Sequence, residues 1–280
     1  MVTDIHPTAV VDPGAELGEG VTVGPYAVIG AGVEIGDGTE IGAGAQVRGP
    51  ATRIGRENRI FAHACVGFEP QDLKFQGEAT RLTIGDRNQV RELATIHRGT
   101  SFGGGLTSIG SDNRCMVYTH VAHDCCVGDR CILVNNATLG GHVTVHDDAT
   151  VGAFSAVHQF TRVGRHAYVG GFTVLTMDAL PYVKTVGQKP ACYGVNSIGL
   201  KRKGVPPEAR RRIGEAIKLL LSAGLNTTQA LERMRAELGG HPEIDYLVEF
   251  VAASERGVVK AQPGRRGDRG GGGGEAGEPE

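Results

Sequence analysis

Histidines concentrate in one stretch of this chain and share a regular spacing with other polar residues. Gly141 and Gln159 follow His123 by 18 and 36 residues, and His142 follows Asp124 by 18. Four of the ten histidines belong to this cluster: His120, His123, His142 and His158. An 18-residue period would bring these residues to one place on successive turns of a coil.

Clustered imidazoles are suited to two kinds of chemistry. A neutral imidazole is a general base matched to pH 7, and it needs one partner to fix its tautomer. Three imidazoles from adjacent turns could instead hold Zn²⁺ with one open position, as a lyase or hydrolase requires. Cys125 and Cys126 add little to the zinc hypothesis, because their spacing matches no Cys-x-x-Cys pattern. The third alternative is a non-catalytic scaffold with solvated surface histidines.

A six-residue repeat supplies the coil that would position the cluster. Hydrophobic residues, nearly all aliphatic, recur at every sixth position from Ile5 to Val47 and again from Ile109 to Leu175. A period of six fits neither a helix nor an alternating strand, but it fits a short strand plus a tight turn. We predict a parallel β-solenoid of about nine coils, each of three hexads, with these residues inside and glycines allowing the turns. The cluster lies off the interior positions and should therefore point outwards.

Composition excludes several other classes. The 44 glycines among 280 residues lack a three-residue period, and the net charge is only -2, so collagen and plain disorder are excluded. A pI near 6.6 predicts no nucleic-acid partner. No apolar run reaches the roughly 20 residues of a membrane span, and no secretory signal is visible. The six cysteines show no disulfide framework, so we expect reduced thiols and a cytoplasmic protein.

The chain divides into three predicted regions. Residues 1–180 should form the β-helix, with loop excursions near 67–83 and 97–108, and such excursions from a rigid scaffold often carry function. Residues 181–260 should form a small α-helical C-terminal domain, with helices at 206–223, 227–238 and 242–254. Residues 261–280 are of low complexity and are predicted to be disordered.

Several motifs together resemble the UDP-N-acetylglucosamine O-acyltransferase family of lipid A biosynthesis, and the resemblance covers roughly residues 3–260. The motifs are Gln71-Asp72-Leu73-Lys74, Thr95-Ile96-His97-Arg98-Gly99-Thr100 with Gly103-Gly104-Gly105, Val121-Ala122-His123-Asp124, Ala156-Val157-His158-Gln159-Phe160, Gly194-Val195-Asn196 and Gly199-Leu200-Lys201-Arg202. The family resemblance implies that the coils are left-handed. It also implies a homotrimer with active sites in the clefts between neighbouring prisms.

The resemblance implies transfer of an R-3-hydroxyacyl chain from acyl carrier protein to the 3-hydroxyl of UDP-N-acetylglucosamine, without a metal or other cofactor. His123 would be the general base, paired with Asp124, and the Gly141 N–H would face the oxyanion. Two alternatives stay open: another hexapeptide acyltransferase acting on a 3-amino sugar nucleotide, and a zinc-dependent hydratase or lyase on the same solenoid.

The remaining site residues are carried over from the same resemblance. The residues that would line the sugar and pantetheine region are Gln71, Asp72, Lys74, His120, His142, His158 and Gln159. Asn196, Arg202 and Lys203 would contact the nucleotide, and Gly171 would measure the acyl chain. Two positions depart from the family: Ile198 stands where a carboxylate can occur, and Lys203 stands where Arg is common.

A basic cluster in the helical region is expected to dock the acidic acyl carrier protein. Its members are Lys201, Arg202, Lys203, Arg210, Arg211, Arg212 and Lys218.

Overall fold

The computed structural model describes residues 2–222 and 224–260 of the chain. The first and larger part is a left-handed parallel β-helix, as predicted. Strands of successive coils pair in register, so that His120 lies beside Thr138 and Thr138 lies beside Ala156. The predicted stacking of residues 18 apart is therefore confirmed in the region of the histidine cluster.

Three sheets form the faces of the prism, and nearly every strand in them is two to four residues long. The first sheet contains β1 (Asp4–Ile5), β4 (Thr22–Val23), β7 (Glu40–Ile41), β10 (Arg59–Ile60), β13 (Gln89–Val90), β16 (Arg114–Cys115), β19 (Ile132–Leu133), β22 (Thr150–Val151), β25 (Tyr168–Val169), β27 (Val183–Val186) and β28 (Ala191–Val195). The second sheet contains β2 (Val10–Val11), β5 (Val28–Ile29), β8 (Gln46–Val47), β11 (Cys65–Phe68), β14 (Thr95–His97), β17 (His120–Val121), β20 (Thr138–Leu139), β23 (Ala156–Val157) and β26 (Val174–Leu175). The third contains β3 (Glu16–Leu17), β6 (Val33–Ile35), β9 (Thr52–Ile54), β12 (Arg81–Ile84), β15 (Leu106–Ile109), β18 (Cys126–Val127), β21 (Thr144–Val145) and β24 (Arg162–Val163).

The core is a column of aliphatic side chains along the prism axis. Ile29, Ile96 and Leu139 are completely buried there, and small residues such as Ala27 and Ala45 fill the cramped positions beside them. The aliphatic positions are those that the six-residue repeat predicted to lie inside. The packing of this column fixes the position of each corner along the prism axis and its orientation. The polar residues at the corners are therefore held in fixed positions as well.

The corners take the left-handed conformation mostly without glycine. Asp124 (φ 58) and His142 (φ 60) both occupy it, although Gly44 (φ 64) does so as well. Gly42 has no such φ, yet a Cβ there would lie 2.8 Å from the backbone N of Ala62 on the next coil. At this repeat position, glycine is required by the close approach of coils and not by the turn that the sequence suggested.

Strand structure continues past position 180 to Val195, because β27 pairs with β25 and β28 pairs antiparallel with β27. The helices are α1 (Ser197–Arg202), α2 (Pro207–Ser222), α3 (Thr227–Leu238) and α4 (Pro242–Ala252). The last three agree with the predicted helices, whereas the short α1 was not predicted. None of the helices in the described ranges is long and apolar enough to span a membrane.

Hydrogen bonds from Arg162 connect the last coils of the prism to the helical region. The Arg162 guanidinium donates to Asp178 at 2.7 Å and to the carbonyl of Phe250 in α4 at 2.8 Å. The two excursions from the β-helix are 69–80 and 98–105, somewhat shorter than predicted, because the flanking strands extend into them. The tail at 261–280, which we predicted to be disordered, lies outside the described residues.

Candidate active site

His123 and Asp124 form a hydrogen-bonded pair at the corner between β17 and β18. Nδ1 of His123 lies 2.8 Å from Oδ2 of Asp124. A carboxylate only accepts hydrogen bonds, so Nδ1 carries the hydrogen and Nε2 presents its lone pair. Nε2 points towards the first excursion, where Oδ2 of Asp72 is 3.8 Å away. The pair therefore has the arrangement of an oriented general base.

The second excursion encloses the Asp124 carboxylate. The backbone N–H of Thr100 donates to Oδ1 at 2.9 Å, and the Thr100 hydroxyl donates to Oδ2 at 2.6 Å. Gly103 packs so closely on the carboxylate that a side chain there would collide with it. Thr107 holds the Asp124 backbone N–H at 2.8 Å. Neither threonine is among the predicted site residues, although Thr100 belongs to a quoted motif and excursions of this kind often carry function.

Gly141 lies one coil beyond His123 and supports its ring. The predicted stacking of these two residues is confirmed, since a Cβ at position 141 would collide with the imidazole. Within the described part of the chain, the Gly141 N–H has no hydrogen-bond partner. A backbone donor without a partner beside a base is a suitable oxyanion contact.

His142 and His120 flank the pair on neighbouring coils. His142 makes an edge contact with His123 at 5.2 Å and stacks on Phe160 at 4.4 Å. Burial lowers the pKa of His142, although the Asp124 carboxylate opposes the shift. His120 is fixed through Nδ1 by the Thr95 hydroxyl at 2.7 Å. Both rings therefore favour the neutral form, since burial and His123 lower the pKa of His120 as well.

His97 is a further histidine near the cluster that sequence reasoning did not select as a site residue. Its ring contacts that of His120 edge-on at 4.8 Å, and its side chain is almost completely buried. Burial lowers its pKa to about 4. The signal available in the sequence was its place in the motif around Thr95–Thr100.

The first excursion carries Gln71, Asp72 and Lys74, and it brings Asp72 to within 3.8 Å of His123. The excursions rest on each other: the Lys74 ammonium lies over the Phe102 ring at 5.8 Å, and the Ser101 hydroxyl donates to Glu78 at 3.0 Å. Gln71 and Lys74 are exposed, whereas Asp72 is half-buried beside His123. Gln71 and Lys74 are thus open to a ligand from solvent.

His158, Gln159 and Gly171 lie further along the same prism. His158 is exposed, and its Nδ1 donates to the carbonyl of Gln159 at 3.0 Å. Gly171 is also exposed on the surface, where a Cβ would lie 3.2 Å from the carbonyl O of Ala153. The surface at Gly171 therefore carries no side chain.

The donor atoms of His123, Asp124 and His142 lie within 4.8 Å of one another, which is close enough to consider a metal ion. His158 does not join them, so the three-imidazole zinc arrangement is not formed by the described residues. The Asp124 oxygens already accept three hydrogen bonds, from the Thr100 N–H, the Thr100 hydroxyl and His123. This set orients an imidazole better than it ligates zinc.

A cavity of about 740 Å³ separates α1 from the prism, and the three predicted nucleotide residues line it. Asn196 caps α1 and donates through Nδ2 to the carbonyl of His166 at 3.1 Å. The Lys203 ammonium is bound to Asp148 at 2.9 Å. Arg202 is exposed and makes no ion pair among the described residues. The cavity therefore offers one free guanidinium and one tethered ammonium to an anion.

The predicted basic cluster is partly neutralised. Arg211 pairs with Glu215, and Arg212 pairs with Glu208 and Glu243. Lys201 and Lys218 are exposed and form no ion pair in the described part of the chain. The remaining positive surface is smaller than the sequence suggested and lies around α1 and the outer face of α2.

Comparison with known proteins gives consistent matches along the chain. Residues 178–259 match the family model described as "Udp N-acetylglucosamine O-acyltransferase; Domain 2", and residues 14–49 match that of the bacterial transferase hexapeptide repeat. The structure is similar to the UDP-N-acetylglucosamine acyltransferase of Francisella novicida, with a TM-score of 0.89, 36% identity, and coverage of 93% of this chain and 95% of that one.

Two further solved structures agree with this match. The UDP-N-acetylglucosamine O-acyltransferase of Moraxella catarrhalis has a TM-score of 0.88 at 38% identity, covering 91% of this chain and 99% of that one. The UDP-N-acetylglucosamine acyltransferase of Bacteroides fragilis has a TM-score of 0.88 at 40% identity, with the same two coverages.

Proposed function

The chain belongs to the UDP-N-acetylglucosamine O-acyltransferase family, and on that premise we propose that it transfers an R-3-hydroxyacyl chain from acyl carrier protein to the 3-hydroxyl of UDP-N-acetylglucosamine. This is the first step of lipid A biosynthesis, and we place it in the cytoplasm. The observation that carries the proposal is the His123 ring, held through Nδ1 by a buried carboxylate with Nε2 free for a substrate proton.

His123 would act as base and then as acid. Nε2 takes the proton of the sugar hydroxyl while the hydroxyl oxygen attacks the thioester carbonyl. The tetrahedral intermediate collapses with cleavage of the C–S bond, and the imidazolium returns the proton to the departing thiolate. A base is needed because a sugar hydroxyl is scarcely ionised at pH 7, whereas the thioester already has a good leaving group. Atoms and charges balance without a covalent enzyme intermediate.

Asp124 and Gly141 would stabilise the charges that develop in this step. The Asp124 carboxylate stabilises the imidazolium and preserves the tautomer. The Gly141 N–H would donate to the oxyanion, and one such donor is typically worth about 3 kcal/mol. The contact between Gly141 and the His123 ring supports this assignment, because it brings the donor and the base together at one point of the prism surface.

The substrates would occupy the two regions described above. Residues in and around the histidine site would contact the sugar and the pantetheine arm: Gln71, Asp72, Lys74, His120, His142, His158 and Gln159. Asn196, Arg202 and Lys203 would bind the nucleotide in the cavity beside α1. We propose that the acyl chain passes Gly171, where the missing side chain leaves room for a long chain.

We also propose a homotrimer and a docking face for acyl carrier protein. Large aromatic side chains project from one corner of the prism, with Tyr26, Phe154 and Phe172 each more than half exposed. A column of this kind on a monomer surface favours association. Lys201, Arg202 and Lys218, which form no ion pair with any described residue, support docking of an acidic protein at the helical end.

The proposal is tested by incubating the protein with R-3-hydroxyacyl carrier proteins of several chain lengths and UDP-N-acetylglucosamine, with the 3-amino analogue as a second acceptor. Mass spectrometry should show a nucleotide sugar heavier by one hydroxyacyl group. His123→Ala should lower kcat by roughly 10²–10⁴. His6→Ala, which alters an exposed histidine of the first coil, is the matched control. Normal turnover by His123→Ala would refute the base assignment, and transfer only to the amino sugar would refute the acceptor.

A further inference from the structure

Asp148 and His166 follow Arg130 along another corner of the prism, between the third and first sheets. All three residues adopt the left-handed conformation, with φ values of 55, 60 and 54 for residues 130, 148 and 166. Their side chains are therefore stacked on successive coils. The Asp148 and His166 side chains are 10% and 14% exposed, and both line the cavity beside α1.

The Asp148 carboxylate is anchored but not saturated. Oδ1 accepts from Arg130 Nε at 3.1 Å and from Lys203 Nζ at 2.9 Å. Among the described residues, Oδ2 accepts only from Arg130 Nη2, at 3.1 Å. Burial opposes ionisation of Asp148, but the hydrogen bonds from Arg130 and Lys203 outweigh it and lower the pKa. Oδ2 thus keeps one acceptor site open on an ionised carboxylate.

His166 presents the complementary atom. Its Nδ1 is buried and has no hydrogen-bond partner among the described residues, and burial lowers the pKa of the ring. A neutral ring in this setting keeps its hydrogen on Nε2, which faces Asp148. Nε2 lies 4.0 Å from Oδ2, too far for a direct hydrogen bond.

A ligand atom that bridges this gap must accept from His166 and donate to Asp148. A hydroxyl oxygen about 2.8 Å from each atom does both. A base N–H can only donate, and a phosphate oxygen can only accept and is repelled by the carboxylate. We propose that Asp148 and His166 form a hydroxyl-binding subsite that receives a ribose hydroxyl of the bound nucleotide.

The inference rests on the proposed function, which places the nucleotide in this cavity. Arg202 and Lys203 stand at the same cavity and are suited to the diphosphate. The Lys203 ammonium contacts Asp148 at 2.9 Å. Because the ribose is joined directly to the diphosphate, a nucleotide whose diphosphate meets Lys203 would bring its ribose hydroxyls to the neighbouring Asp148–His166 pair. Ile198, on the same wall, carries no polar group that would compete for them.

The test is calorimetric binding of UDP, 2′-deoxy-UDP and 3′-deoxy-UDP to the full chain. Wild type should bind at least one deoxy nucleotide about tenfold more weakly than UDP, as expected for loss of a hydrogen bond to a charged group. Asp148→Asn and His166→Phe should each bring that ratio close to one. His166→Phe keeps a ring against Tyr182 and so preserves the packing if Asp148→Asn is poorly folded. Asp112→Asn, which loses the equivalent pair with Arg87 on another coil of the same corner, should keep the wild-type ratio.

The outcomes are distinguishable. If Asp148 merely tethers Lys203, its replacement changes the affinities for all three nucleotides equally, and the subsite is refuted. Equal binding of the three nucleotides by wild type refutes it as well. If wild type does not bind UDP at all, the nucleotide site of the proposed function fails, and the subsite fails with it.

Discussion

The imidazole of His123 lies directly against the backbone of Gly141 on the next coil. A methyl group at position 141 would lie 2.5 Å from Cε1 and 2.7 Å from Nε2 of the ring. Because the coils stack directly, the His123 ring can occupy its observed position only if residue 141 has no side chain.

We therefore expect Gly141→Ala to displace the His123 ring and to lower kcat by roughly 10²-fold, the scale on which misplacement of a catalytic group acts. The comparison is Gly30→Ala, where a Cβ would meet Arg48 Cα at an ordinary 3.5 Å. Steady-state kinetics of both variants decide the matter. Full activity of Gly141→Ala would show that the ring has more freedom than this contact allows.

Thr100 is expected to act through Asp124. Thr100→Val removes the hydroxyl that donates to Oδ2 of Asp124 and accepts from the Gly103 N–H. A lost hydrogen bond to a charged group costs about 1.5–3 kcal/mol, so kcat should fall at least about tenfold while both KM values stay near wild type. Ser101→Ala, in the same excursion but without contact to Asp124, should retain kcat. A change confined to KM would contradict this role for Thr100.

Acid should destabilise the protein through His97. Its pKa is lowered by burial from 6.5 to about 4, so between these values the unfolded chain binds more protons than the folded one. Stability is therefore complete above pH 6.5 and falls as the pH falls towards 4, by about 2 kcal/mol from this residue at pH 5. Urea unfolding of wild type and His97→Gln at pH 8 and pH 5 measures it. The difference in free energy of unfolding between the two proteins should change by that amount from pH 8 to pH 5. Equal losses of stability in both proteins would refute the assignment.

A ladder of buried asparagines should carry much of the stability around the excursions. Asn88 donates to Asn58 Oδ1 and to the carbonyl of Gly110, and it accepts from the Asn113 N–H. Asn88→Ala would leave two groups without these partners, the Gly110 carbonyl and the Asn113 N–H, at about 1–3 kcal/mol each. We expect a loss of at least about 2 kcal/mol in urea unfolding. Gln89→Ala, on the outer face of the strand, should change little.

The sequence alone predicted the scaffold because a six-residue repeat leaves few choices. Each hexad places one aliphatic residue inside, and the constant spacing converts sequence separation into spatial stacking. The meeting of His123 with Gly141, and of Asp124 with His142, therefore followed from an interval of 18 residues. The three long helices also followed from local pattern, because an apolar stripe and a capping residue are local signals.

The contacts made by the excursions could not be predicted in this way. Residues 69–80 and 98–105 have no repeat. Their distance in space from the cluster therefore cannot be deduced from their separation in the sequence. The hold of Thr100 on Asp124, the approach of Asp72 to His123 and the burial of His97 depend on how two irregular loops fold against each other. The link between Lys203 and Asp148 likewise joins parts of the chain that no short-range pattern relates.

The repeat thus determined which coil residues share a corner, since every coil has the same length and the interior column fixes the register. Tertiary structure decided which of those corner residues became chemically distinct. Asp124 is enclosed by a loop, and Asp124 in turn orients His123. His158, which the same repeat places nearby, is exposed. The physical reason is that periodicity sets position along the prism, while burial and hydrogen bonding come from irregular segments that pack on it.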